Sequence, residues 1–218
     1  MPIHDLVPGD AQSAVPLVRT EPVQERGAAR VDALLDAAAA VVDEVGFDRL
    51  TTALVAEHAG SSIGTVYRYF PDRIALLQGL RDRAVQRYRI AVVEALRKGQ
   101  PQKWWQAIEL ATDAFVQEFR QEPGFRIIRF VDEQRVQGDT SDEYGMGFYA
   151  AKLAEILADD YGLPAGEDLN FRMAIAVQMG DALIDRAFLL DKNGDERFIV
   201  EAHAVVRAYL GSYYGGLD

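Results

Sequence analysis

The sequence contains no cysteine. That excludes disulfides, thiolate metal sites, cysteine nucleophiles and iron–sulfur ligation, and it points to a reducing cytoplasm. Histidine is nearly as scarce, with only His4, His58 and His203. His203 follows Glu201 by a step of two, which does not place both on one helix face. No metal-ligand spacing and no serine–histidine–aspartate order can be read, so neither a metal, a cofactor nor an enzyme is expected. Long apolar runs are missing too, and with them any membrane-spanning segment. The first 25 residues hold four prolines and no basic stretch leading into an apolar one. They read as a flexible tail, not a signal peptide. Positive charge is also short. A net charge of −11 argues against bulk attraction to nucleic acid or anionic lipid. From Arg26 to Ala75 alone, five arginines face seven acidic residues, a balance of −2. Any nucleic-acid surface there must come from placement, not from net charge.

What is present is a chain of 218 residues, 49% hydrophobic, enough to build a full core. After the tail nearly everything has helical spacing. In "ARVDALLDAAAAVVDEVG" the residues Val31, Leu34, Leu35, Ala38, Val42 and Val45 share one face, and Gly46 closes the helix. Thr51 or Thr52 caps a second helix with Leu54, Val55 and Ala59 on its buried side. Gly60 stops it, Ser61 or Ser62 caps a short third helix, and Pro71 ends that one. Asp72 caps a long fourth helix, which Gly79 is expected to weaken. Further helices are expected near residues 103–121, 124–137, 143–161, 167–190 and 196–213, separated by stretches dense in Gly, Pro and Asp. The expectation is an all-α chain of about nine helices with no strands. Its parts are a tail at 1–25, a helix-turn-helix domain at 26–72, and a helical body at 73–218. "DKNGDE" (Asp191–Glu196) begins like a calcium loop, but Glu196 stands where glycine is needed and Ala202 where a bidentate glutamate is needed. It reads as a helix connector.

The densest stretch is "LTTALVAEHAGSSIGTVYRYFPDR". Two short helices joined by a tight glycine turn are the physical content of a helix-turn-helix. Leu54, Val55, Ala59 and Val66 can hold the pair against the first helix, leaving Ser62, Ile63, Gly64, Thr65 and Arg68 facing outward. Hydroxyls on Thr52, Ser61, Tyr67 and Tyr69, with the Arg73 cation, can serve phosphate oxygens. The same shape also arises as ordinary core packing, so spacing alone leaves both readings open.

"GFDRLTTALVAEHAGSSIGTVYRYFPDRIALL" resembles the signature of tetracycline-repressor (TetR) family regulators, over about a quarter of the chain. The resemblance implies a homodimer of all-helical subunits, each with a three-helix DNA-binding head, a ligand-binding body and final helices forming the dimer interface. It places Thr52 at the phosphate-contacting start of the second helix. Ser62, Ile63, Gly64, Thr65 and Arg68 become candidate base readers, with Tyr67, Tyr69 and Arg73 on phosphates and Ser61 in the turn. Tyr69 and Arg73 stand where the family often has His and Lys, each still a donor. Ser61 stands in place of a usual apolar residue, which leaves the packing of the turn to be seen.

In the body, Trp104, Trp105, Phe115, Phe119 and Tyr149 can be plain core or the wall of an apolar effector pocket. Arg129, Glu133, Gln178 and Asp181 are the polar residues that could orient an effector. Phe171, Ile175, Gln178, Ala182, Asp185 and Leu189 on one late helix, and Phe198, Ala202, Val205 and Tyr209 on the last, are expected to form a two-fold four-helix interface. The sequence thus reads as a DNA-binding transcriptional regulator, a repressor released from a pseudo-palindromic operator by a small apolar or amphipathic effector. The alternative is an all-helical small-molecule-binding protein or enzyme with a non-functional head. An architectural DNA binder needs a basic surface, which the acidic balance opposes.

Overall fold

The computed structural model describes residues 25–122, 124–125 and 146–215. The described residues form eight α-helices and no strands: α1 (Glu25–Val45), α2 (Thr52–His58), α3 (Ile63–Tyr69), α4 (Arg73–Gly99), α5 (Trp104–Gln121), α6 (Met146–Tyr161), α7 (Glu167–Phe188) and α8 (Glu196–Tyr214). A single 3-10 turn, Phe47–Arg49, follows α1. The tail and most of the helix expected at 124–137 lie outside the described residues. No described helix is long and apolar enough to cross a membrane.

The chain divides into two compact units. The first holds α1 to α3, α4 as far as Val85, and residues 122, 124 and 125; the second holds α4 from Gln86, α5, and α6 to α8.

In the first unit the helix ends follow local chemistry. Gly46 takes φ 84° and its N–H reaches Val42 O at 2.9 Å, so the chain leaves α1 through a conformation that glycine adopts without strain. Of the two candidate caps for α2, Thr51 serves: its Oγ1 accepts from Leu54 N at 3.2 Å. Ser62 caps α3 through Thr65 N at 3.1 Å, and Asp72 caps α4 through Ala75 N at 2.8 Å. Leu34, Ala38, Leu50, Val55, Val66, Phe70 and Leu76 are essentially inaccessible. Full burial of one such Leu or Val stabilises by roughly 1.5–3 kcal/mol. Val45, expected on the same face, is instead exposed.

Gly79 does not interrupt α4, which runs unbroken from Arg73 to Gly99. The glycine is a close-approach point. A Cβ there would sit 2.9 Å from Phe70 Cε1 and 3.3 Å from Leu35 Cδ2. Packing of these side chains over the bare backbone outweighs a helix-propensity deficit of about 1 kcal/mol. Arg83 ties α4 to α1, donating to Asp36 Oδ1 at 2.6 Å and Leu35 O at 3.1 Å. After α5 the chain returns to this unit, where Gly124 N donates to Asp43 Oδ1 at 2.9 Å.

In the second unit a row of aromatic rings forms the spine. Tyr88 meets Phe115 edge-on at 5.0 Å, Phe115 meets Phe119 at 5.1 Å, and Phe119 stacks on Phe188 at 4.9 Å. Helices α7 and α8 pack along each other, closely enough that a Cβ on Gly180 would lie 3.0 Å from Val206 Cγ2. The Asp191–Asp195 connector folds back so that Asp195 N donates to Ala187 O at 2.9 Å. Asp195 then caps α8.

Candidate nucleic-acid interface and ligand cavity

Helix α3 is anchored from beneath by Val66, with Phe70 just past its end, both fully buried. Its other side faces solvent: Ser62, Ile63, Gly64, Tyr67 and Arg68 are exposed. Ile63 is 45% exposed, an unusual setting for a large apolar residue with burial available one turn away at Val66. Thr65 is half-buried, and its Oγ1 lies 2.9 Å from Ser62 Oγ. Arg68 has no hydrogen-bond or ion-pair partner among the described residues, so its guanidinium is available. Tyr69 is half-buried.

The flanking groups are placed differently. Thr52 is buried, and its hydroxyl donates to Tyr67 Oη at 3.3 Å. It positions a tyrosine whose ring is exposed. Ser61 fills the turn by accepting from Arg30 Nη2 at 2.7 Å and donating to Ala59 O at 3.3 Å. A serine where an apolar residue is usual is therefore accommodated by a cation from α1. Arg73 donates through Nη2 to Phe47 O at 2.7 Å, latching the start of α4 to the turn after α1, while its buried Nε has no partner.

Placement also answers the charge problem. No acidic residue occurs from His58 to Pro71. Several acids of the first unit are engaged elsewhere: Asp36 with Arg83, Asp43 with Gly124 N, Glu44 with His58 at 3.1 Å, and Asp72 at its cap. The exposed face of α3 carries hydroxyls, a glycine, an apolar side chain and one cation.

The second unit contains a partly open cavity of about 460 Å³, counting its mouth, lined by Tyr88, Ile108, Ala111, Thr112, Phe115, Leu153, Met173, Ala176, Val177, Gly180, Asp181, Ile184 and Val206. Of the residues expected to meet an effector, Phe115 and Asp181 line it. Phe119 lies one ring behind Phe115. Trp104 is buried away from the lining, its Nε1 donating to Gly215 O at 3.1 Å. Trp105 lies under the Arg207 guanidinium at 3.9 Å and also does not line the cavity. Gln178 is exposed, off the buried row Met173, Ala176, Gly180, Asp181 and Ile184 of α7, and does not line the cavity. Arg129 and Glu133 lie outside the described residues, and of Tyr149 only the helical backbone is described. Met173, one of the large apolar residues of the body that could wall a pocket, also lines it, whereas Tyr88 and Thr112 carried no sequence signal. The readable signal was the row Met173, Ala176, Val177, Gly180, Asp181, Ile184 on α7, where small residues and one acid interrupt an apolar face.

On the outside of this unit Phe171 is 59% and Leu189 56% exposed, with Val200 and Tyr213 also open to solvent. Gln178 and Ala182 continue the α7 stripe. On α8 the expected face is rotated: Ala202 is fully buried, while Val200, Ala204 and Ala208 point outward. Ala202 is needed inside because α7 approaches α8 so closely. Among the described residues no cluster of acids and histidines could hold a metal ion.

The family of bacterial regulatory proteins of the tetR type matches residues 34–80. The tetracyclin repressor-like C-terminal domain matches residues 102–214, slightly more than half of the chain. Among solved structures, a TetR-family transcriptional regulator from Streptomyces coelicolor is 33% identical, with a TM-score of 0.70 over 84% of this chain and 98% of that one. A structure described as the molecular basis for control of antibiotic production by bacterial hormones is 20% identical, with a TM-score of 0.66 over 82% and 96%. RolR, solved with resorcinol, is 21% identical, with a TM-score of 0.57 over 88% and 95%. The last two share the fold. No curated protein matches the chain. With one family model matching more than half of the chain, another matching its helix-turn-helix region, and a relative 33% identical over 84% of it, the chain belongs to the tetracycline-repressor (TetR) family of ligand-responsive transcriptional regulators.

Proposed function

We propose that this regulator is a homodimeric repressor that grips a pseudo-palindromic operator and releases it when a small molecule occupies the cavity of its second unit. The observation that carries the DNA reading is the face of α3. Ser62, Ile63, Gly64, Tyr67 and Arg68 are held outward over a rigid apolar anchor, in a stretch without acids. Small residues at the start of a helix allow close approach to a groove floor. Arg68 can read guanine, and Tyr67, Tyr69 and Arg73 can serve phosphates. Residues 26–72 form the DNA-binding part and 73–218 the effector and dimerisation part. The uncovered stripe from Phe171 to Leu189, with the outer face of α8, is the self-complementary surface of a two-fold dimer.

Two such heads fit half-sites about 34–36 Å apart, or somewhat more. An effector acts through its different affinity for the DNA-competent and released states. Footprinting on selected DNA tests the arrangement: two protected half-sites related by a dyad are expected, and a single asymmetric or continuous footprint contradicts it. The protein acts in the cytoplasm, where its operator is.

A further inference from the structure

We infer that Ile63 reads a thymine through its 5-methyl group, so that each half-site carries a thymine whose methyl this side chain covers; this rests on the reading of α3 as the helix that enters the major groove. Ile63 opens α3 and is 45% exposed, whereas Val66 and Phe70, which anchor the helix, are fully buried. Helix propensity gives no reason for the residue, because Ile ranks below Ala, Leu, Arg, Lys, Gln and Glu. A solitary exposed apolar side chain is ordinary on a protein surface. This one stands within the outward face of α3, between Ser62 and Gly64 and one helical turn from Tyr67, all exposed.

Its surroundings suit contact with a base edge. A Cβ on Gly64 would meet nothing nearer than Ser62 Oγ at 3.8 Å, so the backbone beside Ile63 is bare and a groove floor can come close. The adjacent hydroxyls are engaged with each other: Ser62 Oγ accepts from Thr65 N at 3.1 Å and lies 2.9 Å from Thr65 Oγ1. One of their two hydrogens therefore stays within the pair. Ile63 is β-branched, so one strongly preferred χ1 rotamer holds its methyl groups in place. The chemistry of the groove decides what such a group selects. Guanine, cytosine and adenine present donors and acceptors there, and thymine adds the one apolar group, its methyl. Against a donor or acceptor, isoleucine would remove water and return no hydrogen bond, which is costly. Against the methyl it buries apolar surface on both sides.

The test uses the full-length protein and the operator it recovers from a random DNA library. Each thymine of one half-site is replaced in turn by deoxyuridine, which removes the methyl and keeps every hydrogen-bonding group. At one position binding should weaken about fourfold, the factor that one buried methylene gives. Ile63→Ala should bind the thymine and uracil operators equally at that position, and Ile63→Val should keep part of the preference. Cytosine placed there should weaken binding, and 5-methylcytosine should restore part of the loss. If Ile63→Ala folds poorly, Ile63→Val and the base series on the unaltered protein still decide. A flat deoxyuridine series, or a methyl preference that survives in Ile63→Ala, would overturn the inference while leaving the recovered operator, and so the DNA reading of α3, in place. Recovery of no operator would overturn that reading and this inference with it.

Discussion

Arg68 and Arg73 carry the same charge in different settings, and the difference predicts different losses. Arg68 is exposed at the end of α3 with no partner among the described residues. Arg68→Ala should relax preference at one operator position, at about 1–3 kcal/mol if it reads a guanine. Binding titrations against single-base operator variants check this, and equal loss on every sequence makes Arg68 a phosphate contact instead. Arg73 already holds Phe47 O. Arg73→Ala should weaken binding to all DNA and reduce the salt slope by about one. An unchanged slope with a lowered melting temperature would assign Arg73 to the latch alone. Glu118 offers a pH signature. Burial raises its carboxyl above the usual range, and the nearby Arg87 only partly offsets this. The folded state therefore favours the protonated form, so stability from this group is present at low pH and falls as pH rises from the unfolded value through the folded one. Melting curves of Glu118→Gln should show a small gain at neutral pH, moderated by solvent screening, and none at about pH 4 or below. A loss at neutral pH would contradict the burial argument.

Elements were legible in the sequence where local chemistry decides them. The stop at Gly46, the turn at Gly60 and the cap at Asp72 follow from side chains within a few residues of the bonds they make, and the caps of α2 and α3 were narrowed to Thr51 or Thr52 and Ser61 or Ser62, of which Thr51 and Ser62 serve. Of the outward set expected on α3, Ser62, Ile63, Gly64 and Arg68 are exposed, while Thr65 is half-buried and Tyr67 is exposed beside them. What depends on distant neighbours was not. Thr52 and Ser61 are engaged by Tyr67 and Arg30, so their hydroxyls are less available than their spacing suggests. The cavity is assembled from five helices, and no single helical period announces Tyr88 or Thr112. Gly79 looked like a weak point and is a contact. Gly79→Ala gains up to about 1 kcal/mol of helix propensity but drives a methyl into Phe70 and Leu35. Overpacking of this kind costs typically about 1–3 kcal/mol, so denaturant melts should show net destabilisation. A stabilised variant would mean that the Phe70 ring gives way freely.

At the scale of the whole molecule, two features need a second copy and a nucleic acid to make sense. Phe171 on α7 and Leu189 just past its end are exposed, with Gln178 and Ala182 also exposed between them, and exposed apolar groups of this size mark interaction surfaces when they share a patch. Phe171→Asp together with Leu189→Asp should convert the dimer to a monomer in sedimentation equilibrium while leaving the helical content unchanged. A dimer that persists would move the interface elsewhere. The overall charge of −11 opposes nonspecific DNA binding, so under the proposed function affinity depends on sequence and on two heads acting together. The most direct measurement is selection of bound fragments from a random DNA library at physiological salt, followed by titration of the winner against scrambled DNA. Recovery of one pseudo-palindrome, preferred by about a thousandfold or more, is the predicted result. A folded, dimeric protein that enriches no sequence would contradict the reading of α3 as a DNA-reading helix.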